Sequence, residues 1–159
     1  MQHGGRRTEE RTGGKRNEKR IIREKINAMI IGVGTDMIEI MRVQKACKKQ
    51  AFLSRIYTEE ECRQIGGNVS SLAGNFAVKE AVAKVFGTGF DGFWPKEIEV
   101  LRDDLGKPYV KLWGKAKELA DRLGIGAVHV SITNTKEYAS AIAVAESKET
   151  HTEKQEGEM

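Results

Sequence analysis

Residues 76–89, read FAVKEAVAKVFGTG, combine charged side chains with a glycine turn. The apolar residues recur at helical spacing, so one side of a helix is predicted to face a core and Lys79, Glu80 and Lys84 fall on the other side. Glu80 precedes Lys84 by four residues, the order that favours an ion pair. The GTG at 87–89 is predicted to end the helix. A carboxylate and two ammonium groups beside a flexible turn suit a metal ion and phosphates; a solvated helix face is the alternative.

A second acidic group, Asp36, follows the apolar, glycine-bearing run of residues 30–35 (IIGVGT), which predicts a short strand. A carboxylate where a strand ends can bind a metal ion or cap the next helix, which is predicted to begin near Ile40, and both interpretations stay open. A dinucleotide-binding loop is disfavoured, because GVGTD lacks the third glycine and the helix start of that fingerprint. The GTG at 87–89 follows a helix, whereas a phosphate-binding loop precedes one.

His129 and Ser131 lie on a predicted strand in the C-terminal part of the chain. His129 alternates with Val128 and Val130, which fits either a hydrogen-bonded histidine near a core or a ligand-binding histidine. Ser131 has no Gly-x-Ser-x-Gly context, so a serine nucleophile is not predicted.

The remaining pattern predicts the elements that must position these groups. Thr58 and Glu61 form a capping box at the start of a short helix. Ser70 or Ser71 is predicted to cap the long helix that follows, and DDLGKP at 103–108 is a turn that joins two strands into a hairpin. The predicted strands are residues 30–35, 97–101, 109–113, 128–133 and 138–145, and the other helices are residues 40–49 and 115–123. This order predicts an α+β fold with a mostly antiparallel sheet.

The positive charge of the chain is concentrated at its beginning. Residues 1–28 hold nine Lys/Arg and four Asp/Glu, a net of +5 against +4 for all 159 residues, so the remainder carries −1. Such an arm can bind nucleic acid or an acidic membrane, or it can be a solvated extension from an early start codon that precedes Met29. We predict a disordered arm at 1–28, one domain at 29–146 and a disordered polar tail at 147–159.

The two cysteines, Cys47 and Cys62, match neither a metal-ligand spacing nor a disulfide framework. A reduced, cytoplasmic protein is the simple expectation. The sequence has no apolar run long enough for a transmembrane helix, and residues 1–28 lack the apolar centre of a signal peptide.

Four motifs occur in order along the chain: residues 32–42 (GVGTDMIEIMR), 76–89 (FAVKEAVAKVFGTG), 103–124 (DDLGKPYVKLWGKAKELADRLG) and 129–141 (HVSITNTKEYASA). Over about residues 29–146 the chain resembles the holo-acyl-carrier-protein synthases, the small trimeric class of 4′-phosphopantetheinyl transferases. The resemblance implies that fold, a homotrimer with active sites between subunits, and transfer of 4′-phosphopantetheine from coenzyme A to a serine of apo acyl carrier protein.

The resemblance also implies roles for the charged residues. Asp36 and Glu80 are expected to bind Mg²⁺, which prefers hard oxygen ligands and keeps several waters. The carrier serine would attack the phosphorus next to pantetheine, and adenosine 3′,5′-bisphosphate would leave. Either a metal-linked water, or Glu80 through a water, would accept the serine proton. Lys84 is expected to contact a phosphate, whereas Lys79 is a weaker candidate because an ion pair would make it structural.

Further expectations concern the coenzyme. Gly87 and Gly89 would let the backbone approach it, and the turn at Gly106, Lys107 and Pro108 would lie beside the adenine. His129 would border the coenzyme from a neighbouring subunit.

Two positions depart from the commonest pattern of the family, Asn75 where many relatives have arginine and Asn134 where many have histidine. Both basic groups can hold the 3′-phosphate of coenzyme A. The resemblance therefore implies that Lys136 or a residue of an adjacent subunit supplies the positive charge for the 3′-phosphate.

A carrier-binding surface is predicted on the helix that begins near Ile40, because acyl carrier proteins are small and acidic and a basic stripe with apolar anchors would attract them. The stripe comprises Arg42, Lys45, Lys49 and Arg55, with Met41 and Phe52 as anchors. Two other functions stay open: a non-catalytic coenzyme A- or nucleotide-binding protein, and nucleic-acid binding through the basic arm.

Overall fold

The computed structural model describes residues 28–148, which fold into strands and helices in the predicted order. Their bounds are β1 Ile30–Glu39, α1 Ile40–Cys47, α2 Gln50–Ile56, α3 Glu59–Ile65, α4 Val69–Phe86, β2 Ile98–Arg102, β3 Pro108–Leu112, α5 Gly114–Arg122, β4 Ile125–Asn134 and β5 Tyr138–Ser147, with a short 3₁₀ turn at Pro95–Glu97. All strand pairs are antiparallel, so the predicted α+β fold is confirmed. The predicted basic arm and polar tail lie outside the described residues, except for residues 28, 147 and 148. None of the helices within 28–148 has the length and apolar character needed to cross a bilayer.

The strands form a three-stranded sheet in the order β1-β5-β4 and a separate β2-β3 hairpin. Helix α4 packs against the sheet, and the central strand β5 offers it small side chains only. These are the buried residues Ala139, Ala141, Ala143 and Ala145. Alanines on that face let a helix lie close to a strand, so the main core forms between α4 and the sheet.

Gly34 brings β1 still closer to α4. A Cβ atom at this position would overlap the backbone carbonyl oxygen of Ala81, and one at Gly32 would lie 3.2 Å from the carbonyl oxygen of Val85. Backbone atoms cannot rotate away as a flexible side chain can. Gly34, and less strictly Gly32, therefore sets the distance between the strand that carries Asp36 and the helix that carries Glu80.

The helix ends follow the local sequence with one exception. Thr58 and Glu61 form the predicted capping box of α3, and Gly87 ends α4 in the left-handed conformation at φ 78°. The prediction of Ser70 or Ser71 as the cap of α4 was wrong. Asn68 is the N-cap, with its side chain accepting a hydrogen bond from the Ser71 amide, because an asparagine side chain can cap a helix as well as a serine.

The predicted helix over residues 40–49 is also shorter than expected. It ends at Cys47, and a second helix, α2, begins at Gln50 after Lys49 adopts an extended backbone. The basic residues of the predicted stripe are therefore divided between α1, the connecting residue Lys49 and α2.

A buried ion pair lies on the other side of α4. Lys79 and Glu61 are both fully buried, with Lys79 Nζ 2.9 Å from Glu61 Oε2. Lys79 also donates to the carbonyl oxygens of Ile98 and Pro95. Its predicted place on the solvated side of the helix was wrong, because the helical pattern does not show that α3 and β2 cover this side as well. The structural ion pair, which made Lys79 a weaker candidate for binding phosphate, is confirmed.

We predict that Gly34→Ala destabilises the protein by about 2 kcal/mol, since overpacking against a backbone atom forces strand and helix apart. Equilibrium urea unfolding would measure the loss. Gly32→Ala is the graded comparison, because its Cβ would meet Val85 at a distance that small shifts can absorb. A Gly34→Ala variant as stable as the Gly32→Ala variant would contradict the proposed close contact.

We also predict that Lys79→Met lowers the free energy of unfolding by about 3–5 kcal/mol, because it leaves the charge of Glu61 buried without its partner. The double variant Glu61→Gln, Lys79→Met should recover part of that loss, since it removes the isolated charge. Urea unfolding of the two single variants and the double variant forms a mutant cycle. Purely additive losses would argue against direct coupling of the two side chains.

Candidate active site

Asp36 lies within β1, opposite Ala141 of β5, and is half-buried on the side of the sheet that faces α4. The predicted strand end at residue 35 was wrong, because pairing with β5 continues to Glu39. Glu39, not Asp36, is the N-cap residue of α1, and it makes no side-chain cap. The helix-cap interpretation of Asp36 is therefore excluded, and its carboxylate faces α4.

Lys84 of α4 reaches across to β1. Its Nζ lies 3.0 Å from Asp36 Oδ1 and donates to the carbonyl oxygen of Thr35 at 2.7 Å. The sequence spacing favoured a pair between Lys84 and Glu80, but within residues 28–148 the ion pair of Lys84 is with Asp36. The lysine is half-exposed, so its ammonium group can also meet a ligand.

Glu80 completes the group, which we call the carboxylate site: Asp36, Glu80 and Lys84. Burial raises the pKa of Glu80, the negative charge of Asp36 raises it further, and Lys84 opposes both effects. Asp36 and Glu80 are thus close enough for their charges to repel each other. Holding two negative charges near each other costs electrostatic free energy, and a bound cation would offset that cost.

The donor set of this site fits a hard divalent cation. Within residues 28–148 no cluster of three or more His, Cys, Asp or Glu could enclose a metal ion by itself. Two carboxylates leave most coordination positions to water and to ligand oxygens, which is the arrangement that Mg²⁺ favours with phosphate-bearing substrates.

The predicted glycine turn follows α4 directly. Gly87 and Gly89 both have positive φ, 78° and 61°, and a Cβ atom at either would meet nothing within 4 Å. The backbone conformation, rather than a close contact within this chain, therefore requires glycine here. The space beside them is open to a ligand.

The predicted adenine turn connects β2 to β3. Asp103 Oδ1 accepts hydrogen bonds from the amides of Leu105 and Lys107, each at 2.9 Å, and Gly106 has φ 82°. Pro108 begins β3 opposite Arg102. Side-chain bonds, a positive-φ glycine and a proline give this turn a rigid backbone edge.

His129 does not join the carboxylate site within the chain. It pairs with Val144 of β5 in register and therefore lies on the sheet face opposite α4. Its Nε2 lies 2.9 Å from Glu146 Oε2. The sheet therefore separates His129 from Asp36 within the chain.

The two unusual asparagines both make hydrogen bonds. Asn75 is fully buried and donates to Glu61 Oε1 and to the carbonyl oxygen of Val100, at 3.1 and 2.9 Å. Its Oδ1 accepts from Arg102 Nη1 at 2.7 Å. Asn134 donates to Ser70 Oγ at 2.7 Å. Sequence reasoning missed Arg102, because nothing in the sequence indicates that the end of β2 lies beside Asn75.

The predicted carrier surface lies on α1 and α2. Its basic residues Arg42, Lys45, Lys49 and Arg55 are exposed, as is Met41. Phe52 is only partly exposed, because its ring packs 6.1 Å from that of Phe76. Phe76 precedes Glu80 by one helical turn, so this basic surface begins beside the carboxylate site.

Trp94 extends this surface and was not predicted. Its side chain is 56% exposed, and the guanidinium of Arg55 lies 5.8 Å from its ring centre. Nothing in the sequence indicates that the segment carrying Trp94 lies beside Arg55 of α2.

The chain matches known proteins over nearly all of the described residues. Residues 32–143 match the family model described as the 4′-phosphopantetheinyl transferase superfamily. A holo-[acyl-carrier-protein] synthase of Lachnoclostridium phytofermentans is 58% identical over 118 residues, 74% of this chain and 97% of that protein. One of Alkaliphilus metalliredigens is 46% identical over 121 residues, 74% of this chain and 99% of that protein.

Solved structures give the same result. The crystal structure of holo-[acyl-carrier-protein] synthase from Neisseria meningitidis is 36% identical with a TM-score of 0.68, and the match covers 74% of this chain and 98% of that one. The Helicobacter pylori enzyme in complex with coenzyme A is 29% identical with a TM-score of 0.66, covering 71% and 98%. By sequence and by fold, this chain belongs to the 4′-phosphopantetheinyl transferase superfamily.

Proposed function

We propose that this chain is a holo-[acyl-carrier-protein] synthase. It transfers 4′-phosphopantetheine from coenzyme A to a serine of apo acyl carrier protein and releases adenosine 3′,5′-bisphosphate. The observation that carries this proposal is the carboxylate site, in which Asp36, Glu80 and Lys84 meet between β1 and α4. Relatives at 58% and 46% identity bear the synthase name, and a structural neighbour holds coenzyme A.

The reaction needs groups that bind a diphosphate and remove a proton. Asp36 and Glu80 would hold Mg²⁺, which when bound supplies positive charge to the phosphoryl oxygens. Lys84 adds a point charge for a phosphate oxygen from the same side. The serine proton would pass either to a metal-linked water or, through a water, to Glu80.

The acidic carrier protein docks on α1 and α2. Arg42, Lys45, Lys49 and Arg55 present positive charge, while Met41 is an exposed apolar anchor. Phe52 supports the surface through Phe76. Because Phe76 lies one turn from Glu80, a carrier bound here presents its serine to the carboxylate site. Exposed charges of this kind raise the association rate and make it sensitive to salt.

The active enzyme is a homotrimer with its sites between subunits. The sheet face opposite α4 supports this, because it exposes apolar side chains, among them Val33 at 55%, Met37 at 67% and Ile142 at 41%. A second copy of the chain would cover that face. It would also bring its own His129 to the coenzyme bound by the first copy.

The terminal segments and the compartment complete the proposal. Residues 29–146 form the catalytic domain, and neither the arm at 1–28 nor the tail at 147–159 is needed for transfer.

The protein works in the cytoplasm with Cys47 and Cys62 reduced, which fits their state as free thiols.

Mass spectrometry of apo acyl carrier protein incubated with this protein, coenzyme A and Mg²⁺ tests the function. We expect the carrier to gain the mass of phosphopantetheine. Asp36→Asn and Glu80→Gln should each lower the rate about 100-fold or more, because each removes a metal ligand whose charge stabilisation amounts to several kcal/mol. Glu118→Gln, an exposed carboxylate on α5, is the matched control and should keep full activity.

The alternatives predict other results in the same assay. A non-catalytic coenzyme A-binding protein would leave the carrier unmodified, and Glu80→Gln would bind coenzyme A nearly as well as the wild type. A protein that acts through its basic arm would lose its binding when residues 1–28 are deleted, whereas the transferase would retain its rate.

Thermal unfolding of the metal-free protein tests the carboxylate pair without the reaction. The pKa of Glu80 is raised in the folded state, so the folded protein binds more protons than the unfolded one between the ordinary and the raised pKa. Stability therefore falls as the pH rises through that interval. Glu80→Gln should raise Tm by about 2 °C at neutral pH, and the gain should disappear below the ordinary carboxyl range.

Millimolar Mg²⁺ should raise the Tm of the wild type, since it binds the folded state only. The Asp36→Asn and Glu80→Gln variants should lose that response, and Glu118→Gln should keep it. An equal Mg²⁺ response in all four proteins would contradict a metal site at Asp36 and Glu80.

A further inference from the structure

The ammonium group of Lys84 is held by two oxygens of β1 that differ in kind. Its Nζ donates to the carbonyl oxygen of Thr35 at 2.7 Å and lies 3.0 Å from Asp36 Oδ1. The Thr35 carbonyl is part of a strand that pairs with β5, so its position is fixed, whereas a carboxylate can exchange one cation for another. An ammonium has three N–H donors, and within residues 28–148 these two oxygens use two of them.

The ion pair between Lys84 and Asp36 is open to solvent on the lysine side. The side chain of Lys84 is 52% exposed, and that of Asp36 is 18% exposed. Ion pairs in contact with water contribute little free energy, because water screens the charges and the lysine loses rotational freedom when it is held in place. A cation of higher charge can therefore replace Lys84 at Asp36.

The second lysine of α4 shows the contrast. Lys79 pairs with Glu61 at 2.9 Å, nearly the same distance, but both side chains are fully buried. Lys79 also donates to the carbonyl oxygens of Ile98 and Pro95. Neither water nor a ligand reaches that pair, so α4 carries one permanent ion pair and one that can exchange its cation.

The exchangeable pair involves a carboxylate that is expected to bind Mg²⁺. The charge of Lys84 also reaches the other expected ligand, because burial and the charge of Asp36 raise the pKa of Glu80 and Lys84 opposes both effects. A metal ion held by Asp36 and Glu80 would therefore lie beside the ammonium group. Positive charges at such a short distance repel each other strongly.

We propose that Lys84 competes with the divalent cation for Asp36 and thereby couples metal binding to diphosphate binding; this inference rests on the proposed function. Lys84 releases Asp36 to Mg²⁺, keeps its hydrogen bond to Thr35, and turns the freed N–H toward the diphosphate of coenzyme A. The negative charge of the diphosphate then offsets the repulsion between Lys84 and the metal ion. Metal and coenzyme each bind more tightly when the other is present, as linkage requires.

Calorimetric titration of the full chain with Mg²⁺, without coenzyme or carrier, tests the competition. Lys84→Met should lower the Kd for Mg²⁺ about 10-fold, because it removes both the competitor and the repulsion. Lys84→Arg keeps the charge and should bind Mg²⁺ about as the wild type does. Lys115→Met, which changes an exposed lysine on α5, is the matched control. At one Mg²⁺ concentration, the rise in Tm should be larger for Lys84→Met than for the other three proteins.

The same titration in the presence of coenzyme A tests the coupling. Coenzyme A should lower the Kd for Mg²⁺ in the wild type by a larger factor than in Lys84→Met, and the two factors should differ about 5-fold or more. The variant keeps direct ligation of the metal ion by phosphate oxygens, but it has no repulsion for the diphosphate to offset.

A Lys84→Met variant that binds Mg²⁺ no more tightly than the wild type would overturn the proposal. Equal tightening in Lys84→Met and Lys84→Arg would overturn it too, since the charge would then be irrelevant, and equal effects of coenzyme A in the wild type and Lys84→Met would remove the coupling. Lys84→Gln, a second neutral variant, replaces Lys84→Met if that protein lacks a cooperative unfolding transition.

These titrations separate the inference from the proposed function, because they need no acyl carrier protein and no transfer. A wild type that leaves the apo carrier unmodified, while Lys84→Met binds Mg²⁺ more tightly and responds less to coenzyme A, would refute the function and retain the inference. A wild type that modifies the carrier, while Lys84→Met binds Mg²⁺ as the wild type does, would retain the function and refute the inference.

Discussion

The contact between the backbones of Gly34 in β1 and Ala81 in α4 is the constraint on which the rest of the structure depends. It places a strand and a helix closer together than side chains would normally permit, and the alanines of β5 extend the same close packing across the sheet. Asp36 follows Gly34 by two residues, and Glu80 directly precedes Ala81. This close packing of small residues holds the two carboxylates near enough to repel each other, and Lys84 offsets part of that repulsion.

The other side of α4 is held by polar contacts of a different kind. Glu61 accepts from two side chains and two backbone amides, so the buried charges of Glu61 and Lys79 have their hydrogen bonds satisfied, as a low-dielectric interior demands. This network ties α3 and β2 to the helix. Asn75 belongs to it and also carries Arg102 outward, so the same buried group stabilises the fold and supports a surface cation.

The two faces of the three-stranded sheet have separate roles. The face toward α4 carries Asp36 and the small, buried side chains of β5. The opposite face carries His129 together with exposed Val33, Met37 and Ile142, and it supports the proposal that another copy packs there. In the proposed trimer, a site shared between copies would let His129 and Asp36 contact one coenzyme, although the sheet separates them within a chain.

The sequence alone determined the α+β class, the order of the elements, the capping box at Thr58 and the glycine end of α4. These features depend on local patterns, and the tertiary contacts agree with them. The family, and with it Asp36, Glu80 and Lys84 as one group, followed from four ordered motifs. Tertiary structure decided the rest. It buried Lys79, paired Lys84 with Asp36 rather than with Glu80, carried β1 past Asp36 to Glu39, and set Arg102 on Asn75. Sequence periodicity shows which side of a helix or strand a residue occupies. Only the tertiary structure shows whether water, another element or a distant charge lies on that side.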